Sequence, residues 1–492
     1  MGTRKLNILF VASEVVPFAK TGGLADVAGA LPKALKALGH NIIVVMPRYY
    51  KIDPSKLTKL ETPLGVPMGA MGELWAGVYT TTLPGNDVPI YFIDYERYFG
   101  RGGLYEDHDG SYEDNGNRFV FFSKAALQLC KMLSFTPDII HANDWHTALV
   151  PLLAKTRFVH DFANAKSVLT IHNLQHQGHF HKNLMDLMEV GWEHFNAREF
   201  ESFNGVNLLK GGIMHADAIT TVSKKYADEI QTREFGFGLE GHIRAHSEKL
   251  FGILNGVDYD EWNPCVDNLI AEKFDVGDMA GKLTCKRDIQ RHFNLEVRDD
   301  VPLIGFVGRF AEQKGIGLIA GIIHGLLDMD IQIVMLGAGE KWAEEFFSDV
   351  ATHRSNFGLH VGYSDALAHS IEAASDMFLM PSLFEPCGLN QIYSLRYGTL
   401  PIVRATGGLD DTIQNFDEHH EHGNGFKFFD ATQEALYYTV LWAVNIYKND
   451  KKSFLDMQER AMKQHFGWDD SAKSYEAVYN YILGFEAEKP SV

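Results

Sequence analysis

Residues 6–38 read LNILFVASEVVPFAKTGGLADVAGALPKALKAL, and this stretch decides the class of fold. It opens with a short apolar run at 6–12, passes through a polar turn with two glycines, and ends with apolar residues at helical spacing. So short a run is typical of a strand buried on both faces of a parallel sheet. The stretch therefore predicts strand, turn and helix, with Gly39 ending the helix and Pro32 kinking or breaking it.

The same alternation of strand and helix recurs along the chain. Further apolar runs lie at 41–46, 88–93, 138–141, 167–171, 218–222, 250–254, 301–307, 331–336, 377–380 and 400–403. A chain of 492 residues exceeds what one hydrophobic core usually supports. We therefore predict an α/β protein with two Rossmann-like domains built on parallel sheets.

The boundary between the predicted domains follows Asn255, where a strand ends in turn residues. We assign residues 1–257 to the first domain and 258–467 to the second. A helix at 468–492 carries an apolar face that needs a partner surface, and we expect it to complete the first domain. That face is formed by Trp468, Ala472, Tyr475, Tyr479 and Ile482.

Composition limits the function classes. The formal net charge of −19 argues against a general nucleic-acid binder, because phosphate backbones are held by basic surface. The four cysteines are scattered and form no CxxC pair, which favours a reducing compartment over a disulfide framework or a structural zinc site. No apolar stretch approaches the length of a membrane helix. We expect a cytoplasmic protein that binds no membrane.

The first candidate for chemistry is the turn from Lys20 to Asp26, which follows strand 1 and opens helix 1. Gly22 and Gly23 let backbone N–H groups approach a phosphate, and Lys20 adds a full positive charge. The alternative is a solvated lysine beside a glycine turn. A dinucleotide fingerprint is absent here, and so is a complete Walker loop.

The second candidate is the segment 308–315, GRFAEQKG, directly after the apolar run at 301–307. Arg309 and Lys314 at the end of a strand would stabilise the negative charge that develops on a departing diphosphate. The alternative is a surface loop in which Glu312 pairs with Lys314.

The third candidate is FEPCGLNQ at 384–391, between a strand and a helix. Glu385 is placed to accept hydrogen bonds from sugar hydroxyls or to stabilise a positive anomeric centre, while a capping carboxylate is the alternative. Gly388 lets the chain turn into the helix. Thr406 and Gly407 repeat this arrangement one strand–helix unit later, which favours a phosphate site.

Two polar segments end strands of the first domain. His172 follows one strand, and three more histidines lie within the next ten residues, but a glycine-containing loop does not give them the consistent face that a metal site needs. Asp144 and Trp145 follow another strand. A carboxylate beside a tryptophan is a common way to hold a sugar, and packing of the tryptophan in the core is the alternative.

Eight motifs together resemble the bacterial glycogen synthases and plant starch synthases. They occur in the family's order and span residues 14–476. The motifs are KTGGLADVAGALPKAL, NDWHTAL, TIHNLQHQGHF, TVSKKYADEIQTREFGFGLEG, ILNGVDYDEWNP, GRFAEQKG, FEPCGLNQIYSLRYGTLPIVRATGGL and FGWDDSAKSYE.

The resemblance implies the GT-B fold, in which two Rossmann-like domains face a deep inter-domain cleft. It also implies transfer of glucose from ADP-glucose to the non-reducing 4-hydroxyl of glycogen or another α-1,4-glucan, with retention of configuration and with no metal or other cofactor. By motif position, the residues at the reaction centre would be Glu385, His172, Asp144, Arg309 and Lys314. The substrate-binding residues would be Lys20, Gly22, Gly23, Asn255, Tyr363, Cys387, Gly388, Thr406 and Gly407.

The chain departs from the family pattern at Asn390, where threonine is frequent, and at Ala405, where arginine is frequent. Three other functions compete with the synthase. They are a sucrose synthase-like transferase that uses UDP-glucose, a phosphorylase that carries pyridoxal phosphate, and a catalytically silent glucan-binding protein. The sequence alone leaves the oligomeric state open.

Overall fold

The computed structural model describes residues 4–108, 110–419 and 422–492. The chain forms two compact units, which are considered separately below. The first comprises Met1–Gly256 and Trp468–Val492, and the second comprises Val257–Gly467. The boundary expected from the sequence falls one residue further along, after residue 257.

The first unit is a mixed α/β unit. Its strands are β1 (Asn7–Val11), β2 (Asn41–Pro47), β3 (Thr58–Lys59), β4 (Leu64–Pro67), β5 (Glu73–Thr82), β6 (Pro89–Asp94), β7 (Glu106–Asp107), β8 (Gly110–Ser111), β9 (Ile139–Asn143), β10 (Lys166–Ile171), β11 (His179–His181), β12 (Glu201–Ser202), β13 (Gly205–Asn207), β14 (Ala218–Thr221) and β15 (Leu250–Gly252). Its helices are α1 (Gly23–Ala37), α2 (Glu96–Phe99), α3 (Asn115–Met132), α4 (Asp144–Thr147), α5 (Val150–Lys155), α6 (Val159–Phe162), α7 (Leu184–Met188), α8 (Leu208–His215), α9 (Lys224–Glu229) and α10 (Glu240–Arg244).

The main sheet of this unit follows the order β15-β14-β10-β9-β1-β2-β6-β5-β3, and β4 pairs with β5. Neighbours from β15 to β6 are parallel, whereas β5 runs antiparallel to β6. The parallel part confirms the predicted class of sheet. The apolar-run pattern does not predict strand β5. This strand lies near the sheet edge, where its residues are mostly half-buried or exposed.

The second unit alternates helix and strand from residue 280 to residue 449, and a further helix follows. In chain order its elements are α11 (Ala280–His292), β16 (Leu303–Val307), α12 (Ile316–Leu327), β17 (Gln332–Gly337), α13 (Lys341–His353), β18 (Phe357–Val361), α14 (Asp365–Ala374), β19 (Met377–Met380), α15 (Asn390–Arg396), β20 (Leu400–Arg404), α16 (Gly407–Thr412), β21 (Phe426–Phe428), α17 (Gln433–Asn449) and α18 (Lys451–Met462). The sheet order β18-β17-β16-β19-β20-β21 is parallel throughout. The order reverses between β16 and β19, which is where ligands bind in open α/β sheets.

Helix α1 runs without a break through Pro32, so the predicted division into two pieces is wrong. Proline removes one backbone hydrogen bond from a helix. Leu31, Pro32 and Leu35 are all buried, and this packing holds the helix together across the proline. Gly39 follows with φ of +100°, and its N–H bonds to the Lys36 carbonyl, as expected of a helix-ending glycine.

The last helix of the chain, α19 (Trp468–Ile482), lies in the first unit, and it ends at Ile482 rather than at the predicted residue 492. Ala472, Tyr475 and Tyr479 are completely buried there. The Tyr479 hydroxyl lies 2.7 Å from His141 Nδ1 on β9, so the helix is tied to the centre of the sheet.

Among the described residues, no helix has both the length and the apolarity required to cross a membrane. None of the four cysteines is in a disulfide; Cys130, Cys285 and Cys387 are buried, and Cys265 is exposed.

Candidate active site

Three neighbouring strands of the first unit end in polar segments. Strands β9, β1 and β10 lie together in the sheet, and the order reverses direction between β1 and β9. Glu14 and Lys20 follow β1, Asp144 follows β9, and His172 follows β10. Because parallel strands end at the same edge, these segments meet where open α/β sheets bind their ligands.

Buried Glu14 holds the glycine turn in place. One carboxylate oxygen accepts hydrogen bonds from the Thr21 N–H and, at 3.3 Å, from the Gly22 N–H. The other accepts from the Thr21 hydroxyl at 2.6 Å and from the Tyr105 hydroxyl at 2.7 Å. Four donors on one carboxylate fix the backbone of the turn before any ligand arrives.

The turn leaves open space above its glycines. A Cβ placed on Gly22 or Gly23 would have no atom within 4 Å, and the φ of Gly22 is −153°, which any residue adopts. The backbone conformation therefore does not explain these glycines, and the open space leaves room for a ligand to approach the turn closely. Lys20 is half-exposed, and its Nζ lies 2.7 Å from Asp26 Oδ1.

Asp144 and His172 are brought into direct contact. Asp144 Oδ1 accepts the backbone N–H of His172 at 2.8 Å. The φ of Asp144 is +53°, a left-handed conformation that is uncommon outside glycine and concentrates at functional sites. His172 Nε2 lies 2.9 Å from the side-chain oxygen of Asn143, and the Asn143 amide donates to the Val11 carbonyl on β1.

Burial sets the charge states of this pair. It raises the pKa of Asp144 to about 7, although hydrogen bonds from the His172 and Asn173 N–H groups act in the opposite direction. Burial also lowers the pKa of His172 to about 3, so the imidazole is neutral at physiological pH. The site thus contains a neutral imidazole beside a carboxyl group whose pKa lies close to physiological pH, a combination typical of functional sites.

Trp145 packs in the core and does not form a platform for a sugar. Of the two alternatives that the sequence left open for this residue, core packing is the one that forms. The indole stacks on His146 at 4.0 Å, packs edge-on against Phe119, and is only 8 % exposed. A Cβ on Gly178 would lie 2.6 Å from its ring, which shows that this glycine provides room for the indole.

The histidines after His172 do not assemble as ligands in the described part of the chain. His179 and His181 lie on β11, and neither belongs to a cluster of metal-ligating groups. Asn255 follows β15, which is an edge strand of the sheet, two positions away from β10. It is 4 % exposed, and its Oδ1 has no hydrogen-bond partner among the described residues.

The second unit has a cavity of about 130 Å³ at the point where its strand order reverses. The walls are apolar residues of β16 and β19, and the polar groups converge at their carboxyl ends. These polar or turn residues are Gly308, Lys314, Ser382, Glu385, Gly388 and Asn390. A larger, open depression of about 420 Å³ near Trp442 contains none of the predicted residues, so we take the smaller cavity as the site.

Lys314 and Glu385 form an ion pair in this cavity, at 2.6 Å between Nζ and Oε2. The same oxygen accepts the Ser382 hydroxyl at 2.9 Å. The alternative pairing of Lys314 with Glu312 is not what forms. One Lys314 proton is used by Glu385, and two further donors remain for a ligand.

Arg309 lies on the exposed side of the same segment. Its guanidinium contacts Gln313 Oε1 at 3.3 Å. Gln313 also bonds the main chain of residues 383 and 384, so Arg309 is linked to the segment that precedes Glu385. Lys314 lines the cavity wall and Arg309 does not, so the two cations occupy different positions.

The two glycine turns of this unit pack directly on each other. The Gly408 N–H bonds to the Glu385 carbonyl at 3.1 Å, and a Cβ on Gly407 would lie only 1.9 Å from that oxygen. With φ of +45°, Gly407 is required by the packing of the turns. Cys387 and Thr406 are buried at the same junction, and Gly388 adopts φ of +71°.

Tyr363 lies apart from the cavity lining. It is 84 % exposed, and its hydroxyl is 3.4 Å from Asp365 Oδ1. Of the two family departures, Asn390 lines the cavity and donates to the Val307 carbonyl at 2.9 Å, so it joins α15 to β16. Ala405 extends the strand by bonding its N–H to the Phe428 carbonyl.

Three residues of these sites were not among those predicted: Glu14, Tyr105 and Ser382. Glu14 and Ser382 each come shortly after a buried strand, and that position could have identified them. Tyr105 lies far from Glu14 in sequence, and no local pattern predicts their contact.

The comparisons with known proteins agree with this geometry. Residues 7–245 match the family model described as "Starch synthase catalytic domain", and residues 288–463 match "Glycosyl transferases group 1". The chain is therefore a glycosyltransferase. A glycogen synthase of Geobacter sulfurreducens is 53% identical over 96% of this chain and 96% of that protein, and a glycogen synthase of Koribacter versatilis is 45% identical over 99% and 100%.

The chain belongs to the family of glycogen synthases and starch synthases. The catalytic domain of starch synthase IV from Arabidopsis thaliana, solved with ADP and acarbose, matches with a TM-score of 0.90 and 32% identity, over 98% of this chain and 100% of that one. A sucrose-phosphate synthase from Thermosynechococcus elongatus, with a TM-score of 0.59 and 16% identity, shares the fold. The family resemblance and the GT-B fold predicted from the sequence are confirmed.

Proposed function

We propose that this enzyme transfers glucose from ADP-glucose to the non-reducing 4-hydroxyl of glycogen or another α-1,4-glucan, with retention of configuration. Relatives named glycogen synthase and a starch synthase solved with ADP and acarbose support this substrate class. The observation that carries the proposal is the Lys314–Glu385–Ser382 group, which lines a cavity at the ligand-binding point of a parallel sheet.

Lys314 and Arg309 neutralise the leaving diphosphate in this proposal. The bond between the anomeric carbon and the diphosphate oxygen breaks, and negative charge grows on that oxygen. Fixed cations stabilise this charge more in the transition state than in the ground state, which is the requirement for catalysis. Glu385 holds Lys314 in position and supports the positive charge on the sugar.

The acceptor hydroxyl attacks from the face that the diphosphate leaves. Because attack and departure use the same face, the configuration is retained. The proton of the hydroxyl passes to the departing phosphate oxygen, so the reaction balances without a protein base. Neutral His172 contacts the glucose as a hydrogen-bond partner, and Asp144 holds the backbone of His172 at the reaction centre.

The remaining predicted residues bind the substrates. Lys20, with the open turn at Gly22 and Gly23, contacts the donor diphosphate and the acceptor side. Gly407 acts by packing, because it seats one glycine turn on the other. The group that completes the binding sites is Asn255, Tyr363, Cys387, Gly388 and Thr406.

We propose that the reaction needs no metal or other cofactor, because Lys314 and Arg309 supply the charge that a divalent ion supplies in other transferases. Turnover in excess EDTA should stay within about twofold of the untreated rate. A tenfold loss that Mg²⁺ or Mn²⁺ restores would contradict this. We also place the enzyme in the cytoplasm, and fractionation of cells with an antibody would test that.

A donor and acceptor panel tests the proposed function. ADP-glucose and UDP-glucose are each offered with glycogen, with fructose and without acceptor, and release of nucleoside diphosphate is measured. The proposal predicts release that depends on ADP-glucose and glycogen together. Release that depends on UDP-glucose and fructose would support a sucrose synthase-like enzyme, and release in no mixture would support a silent glucan-binding protein.

A further inference from the structure

A group of three potential metal ligands lies in the second unit, outside the cavity described above. One ligand atom from each of Glu261, Asp365 and His369 lies within 4.8 Å of the other two. Asp365 and His369 are four residues apart on α14, so they share one face of that helix. Glu261 comes from the segment that precedes α11, so the group joins two separate parts of the chain.

His369 is buried and held in one orientation. It is 1 % exposed, and Trp262 stacks on its ring with centroids 3.7 Å apart and planes 18° apart. Its Nδ1 lies 2.7 Å from Oδ2 of buried Asp267. The Tyr397 hydroxyl donates to the same oxygen, so Asp267 is fixed in turn.

The second ring nitrogen of His369 has no hydrogen-bond partner among the described residues. Asp267 also accepts the Leu269 N–H on Oδ1 at 2.8 Å, so both of its oxygens receive donors. Asp267 therefore acts as the acceptor, and Nδ1 carries the proton that it receives. This leaves Nε2 with a buried lone pair, available to join the carboxylates of Glu261 and Asp365.

We propose that Glu261, Asp365 and His369 Nε2 bind a divalent transition-metal ion such as Zn²⁺, with Asp267 orienting the histidine. A buried ring nitrogen without a hydrogen-bond partner is unfavourable, and a cation held by the two carboxylates would satisfy it. A histidine that donates its other N–H to a carboxylate is the usual arrangement of a metal ligand. The donor set of one imidazole and two carboxylates suits Zn²⁺ and leaves a position for water.

The two carboxylates lie at the surface, which gives an ion access from solvent. Both are exposed and can move to the coordination distance of about 2.0–2.2 Å, while His369 is already fixed. The bound ion would cross-link the segment around Glu261 to the first turn of α14. Asp365 also lies 3.4 Å from the Tyr363 hydroxyl, so the ion would compete for that oxygen.

A second cluster with similar residues provides a matched control. In the first unit, Glu199 Oε2 lies 2.6 Å from His194 Nδ1 and 2.7 Å from His215 Nε2. One carboxylate oxygen there satisfies both histidines, so no polar atom of that contact calls for an ion. Glu199→Gln should leave the proposed site intact.

The test uses the full chain stripped of metal with EDTA and dialysed. Co²⁺ is titrated while its visible ligand-field absorption is followed, and Zn²⁺ binding is measured by calorimetry. We expect about one equivalent bound with micromolar or tighter affinity. Glu261→Gln and Asp365→Asn should each weaken binding at least about tenfold, the scale on which even outer partners affect a metal site. Because both residues are exposed, these variants should keep the wild-type circular dichroism.

Three results would overturn the proposal. They are the absence of saturable binding at micromolar metal, equal affinity in wild type and in both carboxylate variants, and loss of binding in Glu199→Gln with retention in Asp365→Asn. The glucosyltransferase assay is not a readout here, so this test and that of the proposed function can fail separately.

Discussion

At the scale of single residues, the candidate site of each unit contains a buried carboxylate, and the two carboxylates have different partners. Glu385 is paired with Lys314 and Ser382, whereas Asp144 accepts backbone N–H groups and faces no cation at hydrogen-bond distance among the described residues. The first carboxylate fixes the position of Lys314, the cation proposed to act on the leaving group. Burial raises the pKa of the second carboxylate, Asp144, to about 7.

Lys314→Gln should lower kcat about 10²-fold or more, because it removes the cation proposed to stabilise the leaving diphosphate. The measurement is steady-state transfer from ADP-glucose to glycogen. Lys341→Gln is the control, since Lys341 forms an exposed ion pair with Glu345 on α13 and should behave as wild type. A kcat for Lys314→Gln within a few-fold of wild type would exclude the role.

Asp144→Asn should change how stability depends on pH. The folded pKa of about 7 lies above the unfolded value near 3.9, so the folded state binds this proton more tightly, and the group costs stability as the pH rises from about 4 to about 7. Asparagine cannot ionise. The variant should therefore gain on wild type by roughly 3 kcal/mol between about pH 5 and about pH 8. Thermal midpoints at both pH values provide the measurement, and an unchanged difference would contradict the assigned burial.

Residue types and strand-end positions predicted Lys20, Asp144, His172, Arg309, Lys314 and Glu385 as site candidates. They did not predict which partner each would take. Lys314 forms its ion pair with Glu385 and not with its sequence neighbour Glu312, because the parallel sheet places the ends of β16 and β19 side by side. Such a contact between distant segments leaves no trace in local spacing.

At the scale of elements, the glycine turns divide into two kinds. Gly22 and Gly23 border open space, whereas Gly407 and Gly408 would clash with the backbone of residues 385–387 if they carried a side chain. The first kind leaves room for the proposed ligand, and the second kind is required by packing. The sequence pattern is the same in both, so only the surroundings distinguish them.

Gly22→Ala should fold normally and bind the donor poorly. Its φ suits alanine and its Cβ would meet no atom, so the melting midpoint should move by no more than about 2 °C. A methyl group in the ligand's space should lower kcat/KM for ADP-glucose at least about tenfold. Gly407→Ala, by contrast, should lose folded protein. Wild-type kinetics for Gly22→Ala would show that no ligand approaches this turn.

Tyr479→Phe tests how α19 is anchored. The hydroxyl bonds to His141 Nδ1, and both groups are completely buried. Its loss leaves a buried ring nitrogen unsatisfied, which should cost about 1–3 kcal/mol. Urea unfolding followed by circular dichroism measures this cost. Tyr481→Phe, whose side chain is half-buried on the same helix, is the control and should change stability by less than about 0.5 kcal/mol.

The elements themselves were largely predictable where their signal was a buried apolar run. Strand β19 lies at 377–380 as expected, and β1, β2 and β17 differ by one residue at their ends. The prediction missed β5 because it is not buried on both faces, and it missed β21 because Lys427 interrupts its apolar run. The break at Pro32 failed because packing outweighs one missing hydrogen bond.

At the scale of the whole molecule, the two units use the same principle. Each has a run of parallel strands in which the strand order reverses, and each has several candidate residues at the carboxyl ends beside that reversal. The fold class followed from strand–helix alternation in the sequence. The identity of the sugar and nucleotide did not, because anion-binding turns of this kind serve many phosphate-containing ligands.

The most direct test of the central claim is transfer of labelled glucose from ADP-glucose and, in parallel, from UDP-glucose to glycogen, followed by β-amylase digestion. That hydrolase removes maltose from non-reducing ends of α-1,4-linked chains. If the proposed function holds, label from ADP-glucose enters glycogen and is released as maltose. Incorporation should fall steeply in Lys314→Gln. Label that comes mainly from UDP-glucose, or that β-amylase cannot release, would contradict the proposed function.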